Sequence, residues 1–285
     1  MHVPYISGEW KLLFKPEKHG SYVNDHSIIK ANDGLWHLFG ITSFKSNSYN
    51  EKYFVHASGE NLDEPMKEEG RAIDRGTLAW SPSVIERDGY YYMFYGPSPT
   101  QLAVSFELTE WFNYPVKLKN EPLMAAHRDH FVFRHKDEYL MYVSGIHNKK
   151  GAISLFTSKD LINWEFDGFA LASGESAPLH CPWGAMESPY VVEKDGLYYL
   201  FITYTDCEPN NYFNTLVFVS ENPKRFGEYN GGDSGAVPIT TLHAHASEII
   251  KSEDGSYYIT TCGWQGFALP HEGAVSIARL DWKQI

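Results

Sequence analysis

Residues 187–201 read ESPYVVEKDGLYYLF, which is an apolar run, an Asp-Gly turn and a second apolar run rich in aromatic residues. Asp-Gly between two apolar runs is the strongest short-range signal for a β-hairpin. Segments of the same pattern start near Asp25, Trp80, Asp129 and Ala246. The chain is therefore predicted to repeat one hairpin-containing unit five times.

A second element recurs after three of these hairpins. It is an apolar run followed by Ser and, six residues later, by an aromatic residue, at 105–111, 158–164 and 220–226. We interpret it as a third strand whose following loop is held by a bulky ring. Units of about 50 residues with three or four short strands are typical of propeller blades. The sequence predicts an all-β, five-bladed β-propeller that forms a single domain over residues 1–285.

Composition excludes several classes of function. Against 36 Asp and Glu stand 24 Lys and Arg, so the net charge of −12 disfavours binding to nucleic acid or an anionic membrane. Three scattered cysteines exclude a disulfide scaffold or a four-cysteine zinc site. Because no apolar run is long enough for a membrane helix and no signal peptide is visible, we expect a cytoplasmic protein. A trimmed secreted form would have the same pattern.

Three acids share one position relative to the hairpin turns. Counting eight residues back from the first turn residue reaches Asp25, Asp129 and Glu187, whereas units two and five have Trp80 and Ala246 there. The innermost strand of each blade lines the central channel, so equivalent positions converge at one mouth. Carboxyl groups held that close have separated pKa values, as acid–base chemistry requires. We therefore expect a catalytic trio.

Each acid also has a purely structural interpretation. Asp25 follows Asn24, a common turn pair. Asp129 would pair with the adjacent Arg128, and Glu187 would be a solvated strand entrance. The shared position of the three acids favours the catalytic interpretation.

Five further side chains are predicted to bind substrate: Trp80, Arg128, Trp183, His245 and His26. The two tryptophans are suited to stacking on a sugar face, although Trp80 would also fit between blades as a packing residue. Arg128 would hold a hydroxyl or carboxylate group, or only pair with Asp129.

Metal binding has a weak signal. His243 and His245 are two residues apart on a predicted strand, which puts both rings on one face. Two histidines without further clustered ligands do not make a metal site. We predict that no cofactor or metal is required, with a structural cation in the central channel near His245 as the alternative. The expected partner is a saccharide, and the oligomeric state stays open.

The motifs resemble those of the five-bladed propeller glycosidases, above all glycoside hydrolase family 43 and the related families 32 and 68. The matching segments are VNDHSII at 23–29, HRDHFVF at 127–133 and MESPYVV at 186–192, while AWSPSV at 79–84 is similar to the Trp-Ala-Pro stretch of family 43. The resemblance implies that Asp25 is the general base, Glu187 the general acid and Asp129 the modulator of the Glu187 pKa. It also implies an inverting hydrolase of a furanose- or pentose-containing saccharide, similar to arabinofuranosidases and xylosidases.

Two departures from the sucrose-cleaving families keep alternatives open. Those families usually have Asp-Pro-Asn, Arg-Asp-Pro and Glu-Cys where this chain has DHS at 25–27, RDH at 128–130 and ES at 187–188. In a retaining, β-fructosidase-like hydrolase, Asp25 would be the nucleophile and Asp129 a transition-state stabiliser. A non-catalytic glycan-binding propeller is the next alternative. A phosphate-dependent enzyme, with Arg128, His26 and His130 near the phosphate, is the last.

Overall fold

Each predicted hairpin supplies the two innermost strands of its own antiparallel sheet, and the five sheets are the blades of a β-propeller. This computed structural model describes residues 1–176, 184–205, 212–231, 235–266 and 269–285. In these ranges, no helix has the length and apolar character that a membrane span needs. The predicted fold class is confirmed.

The strands are numbered in chain order. Blade one contains β3 (Ser21–Lys30), β4 (Trp36–Phe44), β5 (Tyr53–Gly59) and β6 (Lys67–Asp74), with a short 3-10 helix, Ser48–Asn50, between β4 and β5. Blade two contains β7 (Trp80–Arg87), β8 (Tyr90–Gly96), β9 (Gln101–Ser105) and β10 (Phe112–Tyr114). Blade three contains β12 (Ala125–His135), β13 (Glu138–His147), β14 (Lys150–Ser158) and β15 (Asn163–Ser176), and β11 (Lys117–Lys119) and β19 (Gly227–Tyr229) pair with β15 in parallel. Blade four contains β16 (Met186–Lys194), β17 (Leu197–Tyr204), β18 (Asn214–Ser220) and β20 (Thr240–His243). Blade five contains β21 (Ile249–Lys251), β22 (Tyr257–Thr261), β23 (Val275–Gln284), β1 (His2–Ile6) and β2 (Lys11–Phe14).

Blade five is built from both ends of the chain. Strand β1 pairs antiparallel with β23, with His2 opposite Gln284 and Ile6 opposite Leu280. Strand β2 pairs with the other end of β23. The ring of blades is therefore closed by backbone hydrogen bonds between the two chain ends, which the internal repeat did not predict.

The apolar cores lie between blades. The described residues form five buried clusters, and each joins residues of two neighbouring blades. Between blades two and three, for example, the ring of Trp164 meets the ring of Phe94 edge to face, with centroids 5.5 Å apart. Because both faces of a blade are covered in this way, the strands are apolar on both sides, which explains the aromatic-rich runs in the sequence.

The Ser-to-aromatic element forms a loop held by its own hydrogen bonds. In blade three, the Leu161 amide donates to Ser158 Oγ at 3.0 Å, and Trp164 Nε1 donates to the Leu161 carbonyl at 3.1 Å. Blade two repeats the arrangement with Ser105, Leu108 and Trp111. The interpretation of the ring as a loop anchor is therefore correct in both blades.

A residue with positive φ recurs in the innermost strand of blades one to four and just before that of blade five. Asp25, Ser81, Asp129, Ser188 and Ala246 have φ values of 34°, 50°, 55°, 51° and 47°. In blades one to four, the register with the second strand shifts at this point, so the residue forms a bulge. A bulge redirects a side chain. As a result, two consecutive residues such as Arg128 and Asp129 both reach one cavity on the axis.

A buried carboxyl group, Glu248, lies in the channel below the bulges. Its Oε2 accepts a hydrogen bond of 2.7 Å from the Ile28 amide. Burial raises the pKa of Glu248 to about 8, against the smaller opposite effect of the hydrogen bonds. Glu248 is therefore neutral at pH 7.

We expect Glu248→Gln to stabilise the protein at pH 8 by on the order of 1–3 kcal/mol and to have little effect at pH 4. A glutamate in the unfolded chain ionises near 4.5, whereas folded Glu248 keeps its proton up to about 8. Rising pH between these values therefore favours the unfolded state, and Gln removes this effect while keeping an acceptor for Ile28. Urea denaturation at pH 4, 6 and 8 measures the difference, with the exposed Glu253→Gln as control. A difference that does not grow with pH would contradict the assignment.

Candidate active site

The bulges surround a cavity of about 150 Å³ to which every blade contributes. The described residues that line it are Asn24, Asp25, Ser48, Trp80, Arg128, Asp129, Glu187, Tyr212, His245 and Trp264. This is well above the roughly 10–15 Å³ that a single water needs, so the cavity has room for a small polar ligand.

The structure brings most of the predicted site residues to this cavity. Asp25, Asp129 and Glu187 line it together, as do three of the predicted substrate-binding residues, Trp80, Arg128 and His245. Trp183 lies outside the described residues. The chemical roles of these side chains stay predictions.

Glu187 does not occupy the slot that the turn count assigned to it. The bulged residue of blade four is Ser188, so Glu187 is the residue directly before the bulge. Trp80, Arg128 and His245 have the corresponding position in blades two, three and five. The count fails because the first turn residue comes seven positions after the bulge in blades two, three and four, and not eight. Blade three matched the count only because its turn is Lys136-Asp137 and not Asp137-Glu138. Glu187 still reaches the cavity because both consecutive positions face the axis.

Asp25 and Asp129 are joined through Ser188. The Ser188 hydroxyl donates to Asp25 Oδ1 at 2.8 Å, and the Ser188 amide donates to Asp129 Oδ2 at 3.1 Å. The Ser81 hydroxyl donates to the other oxygen of Asp129 at 2.6 Å. These donors fix the planes of both carboxylates. Catalytic groups need such support because they must meet the substrate in one orientation.

Glu187 is bordered by the Arg128 guanidinium and by the His245 ring. Arg128 donates from Nη2 to Glu187 Oε2 at 2.7 Å, and His245 Nε2 lies 3.5 Å from Oε1. The other ring nitrogen of His245, Nδ1, is 2.6 Å from the Cys262 carbonyl, which makes Nδ1 a donor. Nε2 is therefore the ring nitrogen that is directed at Glu187.

The environments of Asp25 and Glu187 move their pKa values in opposite directions. Burial, followed by the negative charge of Asp129, raises the pKa of Asp25 to about 7. Burial also disfavours the charge on Glu187, but contact with His245 and the charge of Arg128 outweigh it and lower the Glu187 pKa. The pKa of Asp25 therefore lies above that of Glu187, the reverse of the order that the resemblance implies.

Arg128 and His26 lie in different surroundings. The buried Arg128 guanidinium lines the cavity, is 3.4 Å from Asp129 and also bonds Glu187 and the Ala126 carbonyl. His26 does not line the cavity described above; its ring contacts Thr260 Oγ1 at 2.8 Å and Cys262 Sγ at 3.3 Å. That either residue binds substrate stays a prediction.

Several residues that bond the acids or line the cavity were not predicted. Ser81 and Ser188 had a signal, because Ser-Pro follows both Trp80 and Glu187 and marks the true register of the two blades. Tyr212 and Trp264 reach the cavity from loops, where no repeat constrains their position.

Among the residues described, no three His, Cys, Asp or Glu side chains are grouped as metal ligands. His243 is exposed on β20, whereas His245 is buried at the cavity. The two rings therefore do not form a shared site, and the predictions on cofactors and on a channel cation stay predictions.

Comparison with known proteins extends these observations. The family model described as glycosyl hydrolases family 32 N-terminal domain matches residues 14–226. No curated protein has significant sequence similarity to the chain.

Three solved structures illustrate the fold. A thermostable family-43 glycoside hydrolase has a TM-score of 0.70 and 18% identity, over 95% of this chain and 96% of that one. A variant of the Bombyx mori family-32 β-fructofuranosidase, in complex with sucrose, has a TM-score of 0.64 and 19% identity, over 98% of this chain and 62% of that one. A family-43 β-xylosidase/α-arabinofuranosidase from a compost microbial metagenome, in complex with xylotriose, has a TM-score of 0.65 and 15% identity, over 98% and 95%. At these identities the likeness shows the fold.

Proposed function

Because this chain belongs to the glycosyl hydrolases family 32 N-terminal domain family and is a glycoside hydrolase of the propeller type, we propose that it hydrolyses a terminal β-fructofuranosyl unit with retention of configuration. The observation that carries the proposal is the meeting of Asp25, Asp129 and Glu187 around one cavity. The sucrose complex of the Bombyx mori enzyme supports the choice of sugar.

The proposed reaction has two steps. A carboxylate oxygen of Asp25 attacks the anomeric carbon while Glu187 donates its proton to the glycosidic oxygen, so that the leaving alcohol departs and a glycosyl ester forms. Glu187 then removes a proton from water, which attacks the same carbon and releases the sugar and the Asp25 carboxylate. Asp129 stabilises the positive charge that develops on the sugar ring in both transition states.

This reaction needs a single proton on the pair formed by Asp25 and Glu187. The two buried carboxyl groups compete for it, and the reactive arrangement has it on Glu187. A hydrogen bond from Glu187 to the glycosidic oxygen of bound substrate favours that arrangement. The Arg128 guanidinium and the His245 ring, which border Glu187, let it become an anion again after each transfer.

We expect kcat/KM to fall about tenfold per pH unit above a pH near 7, because the pair then loses its only proton. The pH of about 7 at which the decrease begins follows from Asp25, whose pKa is raised to about 7 by burial and by Asp129. The measurement is kcat/KM from pH 5 to pH 9, with circular dichroism showing that the fold persists throughout. A kcat/KM that increases through pH 7 would contradict a shared proton.

A second candidate is an inverting hydrolase of an arabinofuranoside or xyloside. The likeness to the family-43 structures and the DHS, RDH and ES sequences at the three acids favour it. In that reaction Asp25 removes a proton from water, which attacks the anomeric carbon directly, and Glu187 again protonates the leaving oxygen.

A panel of sucrose, 4-nitrophenyl α-L-arabinofuranoside and 4-nitrophenyl β-D-xyloside tests the proposal, with Glu187→Gln assayed in parallel. We expect turnover of sucrose by the wild-type protein. Turnover of a pentoside alone would establish the second candidate. Sugar binding without any turnover would indicate a glycan-binding propeller, and turnover that depends on added phosphate would indicate a phosphorylase.

A further inference from the structure

Aromatic side chains from three blades line the catalytic cavity. Trp80 begins β7, Tyr212 precedes β18, and Trp264 follows β22. The rings of Tyr212 and Trp264 meet edge to face, with centroids 5.8 Å apart. Each of the two tryptophans has an indole N–H that needs an acceptor when it is buried.

Behind the tryptophans lies a buried carboxyl group, Glu51, whose side chain is outside the catalytic machinery. Its residue is 2% exposed. Glu51 Oε1 accepts a hydrogen bond of 2.7 Å from the Tyr22 hydroxyl and one of 3.2 Å from Trp264 Nε1. The Glu51 carbonyl accepts one of 2.8 Å from the amide of Ala79.

Glu51 therefore connects the parts of three blades that carry the cavity wall. Its residue ends the short 3-10 helix of blade one, and its carbonyl holds the residue that precedes Trp80 in blade two. Its carboxyl group holds the indole of Trp264 in blade five. The indole N–H of Trp80 is buried without a hydrogen bond to the described residues, but it is close enough to lower the pKa of Glu51.

The fold gains little from an acid at this position. Burial is the main influence on Glu51 and raises its pKa to about 7, although its neighbours donate hydrogen bonds to it. All the side chains that bond it are neutral donors among the residues described. A buried carboxyl group that has no cation to pair with costs stability, so its presence at the cavity wall points to a role in binding.

We propose that Glu51 is a positioning residue that orients Trp264, and with it the aromatic wall, for stacking on the sugar unit. This inference rests on the proposed function, since it takes the cavity to be a sugar site. Stacking depends on the plane and the offset of the ring. An acceptor fixed to blade one sets both for Trp264, so that the ring is already in place when the sugar arrives.

The test compares Tyr22→Phe with the double variant Tyr22→Phe/Glu51→Met. Tyr22→Phe leaves the bond to Trp264 intact, and it also prevents an unpaired buried hydroxyl in the double variant. We expect the single variant to keep KM and kcat. The double variant should raise KM about tenfold, as expected for lost stacking, with kcat changed less than threefold. When Gln takes the place of Met at position 51 of the double variant, one acceptor oxygen is kept, and most of the affinity should be restored. The exposed Glu60→Met serves as control.

Two further measurements separate this inference from the proposed function. The ¹H–¹⁵N resonance of the Trp264 indole, assigned with Trp264→Phe, should shift in the double variant. Fluorescence titration with fructose and with arabinose should show weaker binding by the same factor as KM. If the wild-type protein cleaves none of the glycosides, the proposed function fails, but these titrations still test Glu51. An unchanged KM and unchanged sugar affinity, or a loss confined to kcat, would overturn the inference.

Discussion

Replacing Asp25 with Asn should lower kcat/KM by about 10⁴-fold or more and at the same time stabilise the folded protein at pH 8. The loss follows from the removal of the only group proposed to bond the anomeric carbon, and nucleophile substitutions have effects of this size. Glu187→Gln should cost about 10²–10⁴-fold, as expected for a general acid.

The gain in stability has a separate cause. An aspartate in the unfolded chain ionises near 3.8, whereas burial and the charge of Asp129 hold folded Asp25 protonated up to about 7. Stability therefore decreases as the pH rises from 3.8 to 7, and Asn, which cannot ionise, removes a penalty on the order of 2–4 kcal/mol at pH 8. Asn also keeps an acceptor oxygen for the Ser188 hydroxyl.

Kinetics and urea denaturation at pH 4 and pH 8 check both halves of this prediction. Glu193→Gln is the control, because Glu193 lies on the same strand as Glu187 and is exposed. An Asp25→Asn protein with normal turnover would refute the nucleophile assignment. One that is destabilised equally at both pH values would show that Asp25 is a structural residue.

Arg128→Met should be the most destabilising change at the site, by about 3–5 kcal/mol near pH 8. The buried guanidinium bonds Glu187 at 2.7 Å and lies 3.4 Å from Asp129, so its removal leaves buried carboxylates without their cation. Protonation relieves that repulsion, so the loss should be smaller at pH 5.

Thermal and urea unfolding of Arg128→Met at the two pH values measure this effect. Lys11→Met is the comparison, because Lys11 and Asp63 form an exposed pair 3.1 Å apart, and such pairs contribute about 0–1 kcal/mol. Equal stabilities of the two variants would mean that Arg128 contacts the carboxylates without balancing their charge.

The fold was predictable because its signals are local. An Asp-Gly turn and two apolar runs specify a hairpin within about 15 residues, and Ser158, Leu161 and Trp164 close their loop within seven residues. The closure of the ring was not predictable in this way. His2 pairs with Gln284 across the whole chain, and short edge strands have no distinctive pattern.

The site was predictable in composition but not in register. Counting eight residues back from the turn located Asp25 and Asp129, but the bulge of blade four lies seven residues before its turn, so Glu187 precedes that bulge by one residue. Asp129 was located only because the turn of blade three begins at Lys136, one residue before the position from which we counted. The Ser-Pro pairs at 81–82 and 188–189 indicate the correct register of the bulge, since they align blades two and four with each other.

The pKa order of Asp25 and Glu187 depends on contacts between blades. Arg128 and His245 approach Glu187 from blades three and five, and these contacts lower the Glu187 pKa. A count along one strand contains no information about such contacts. The same holds for Glu51, which bonds Trp264 across 213 residues of sequence.

The anomeric configuration of the first product tests the account most directly. ¹³C NMR should follow sucrose labelled at the anomeric carbon of its fructosyl unit, during hydrolysis by the wild-type protein and by Asp25→Asn. We predict that β-fructofuranose appears before mutarotation and that the variant releases none. First release of the α-anomer, or undiminished release by Asp25→Asn, would contradict the proposed attack by Asp25.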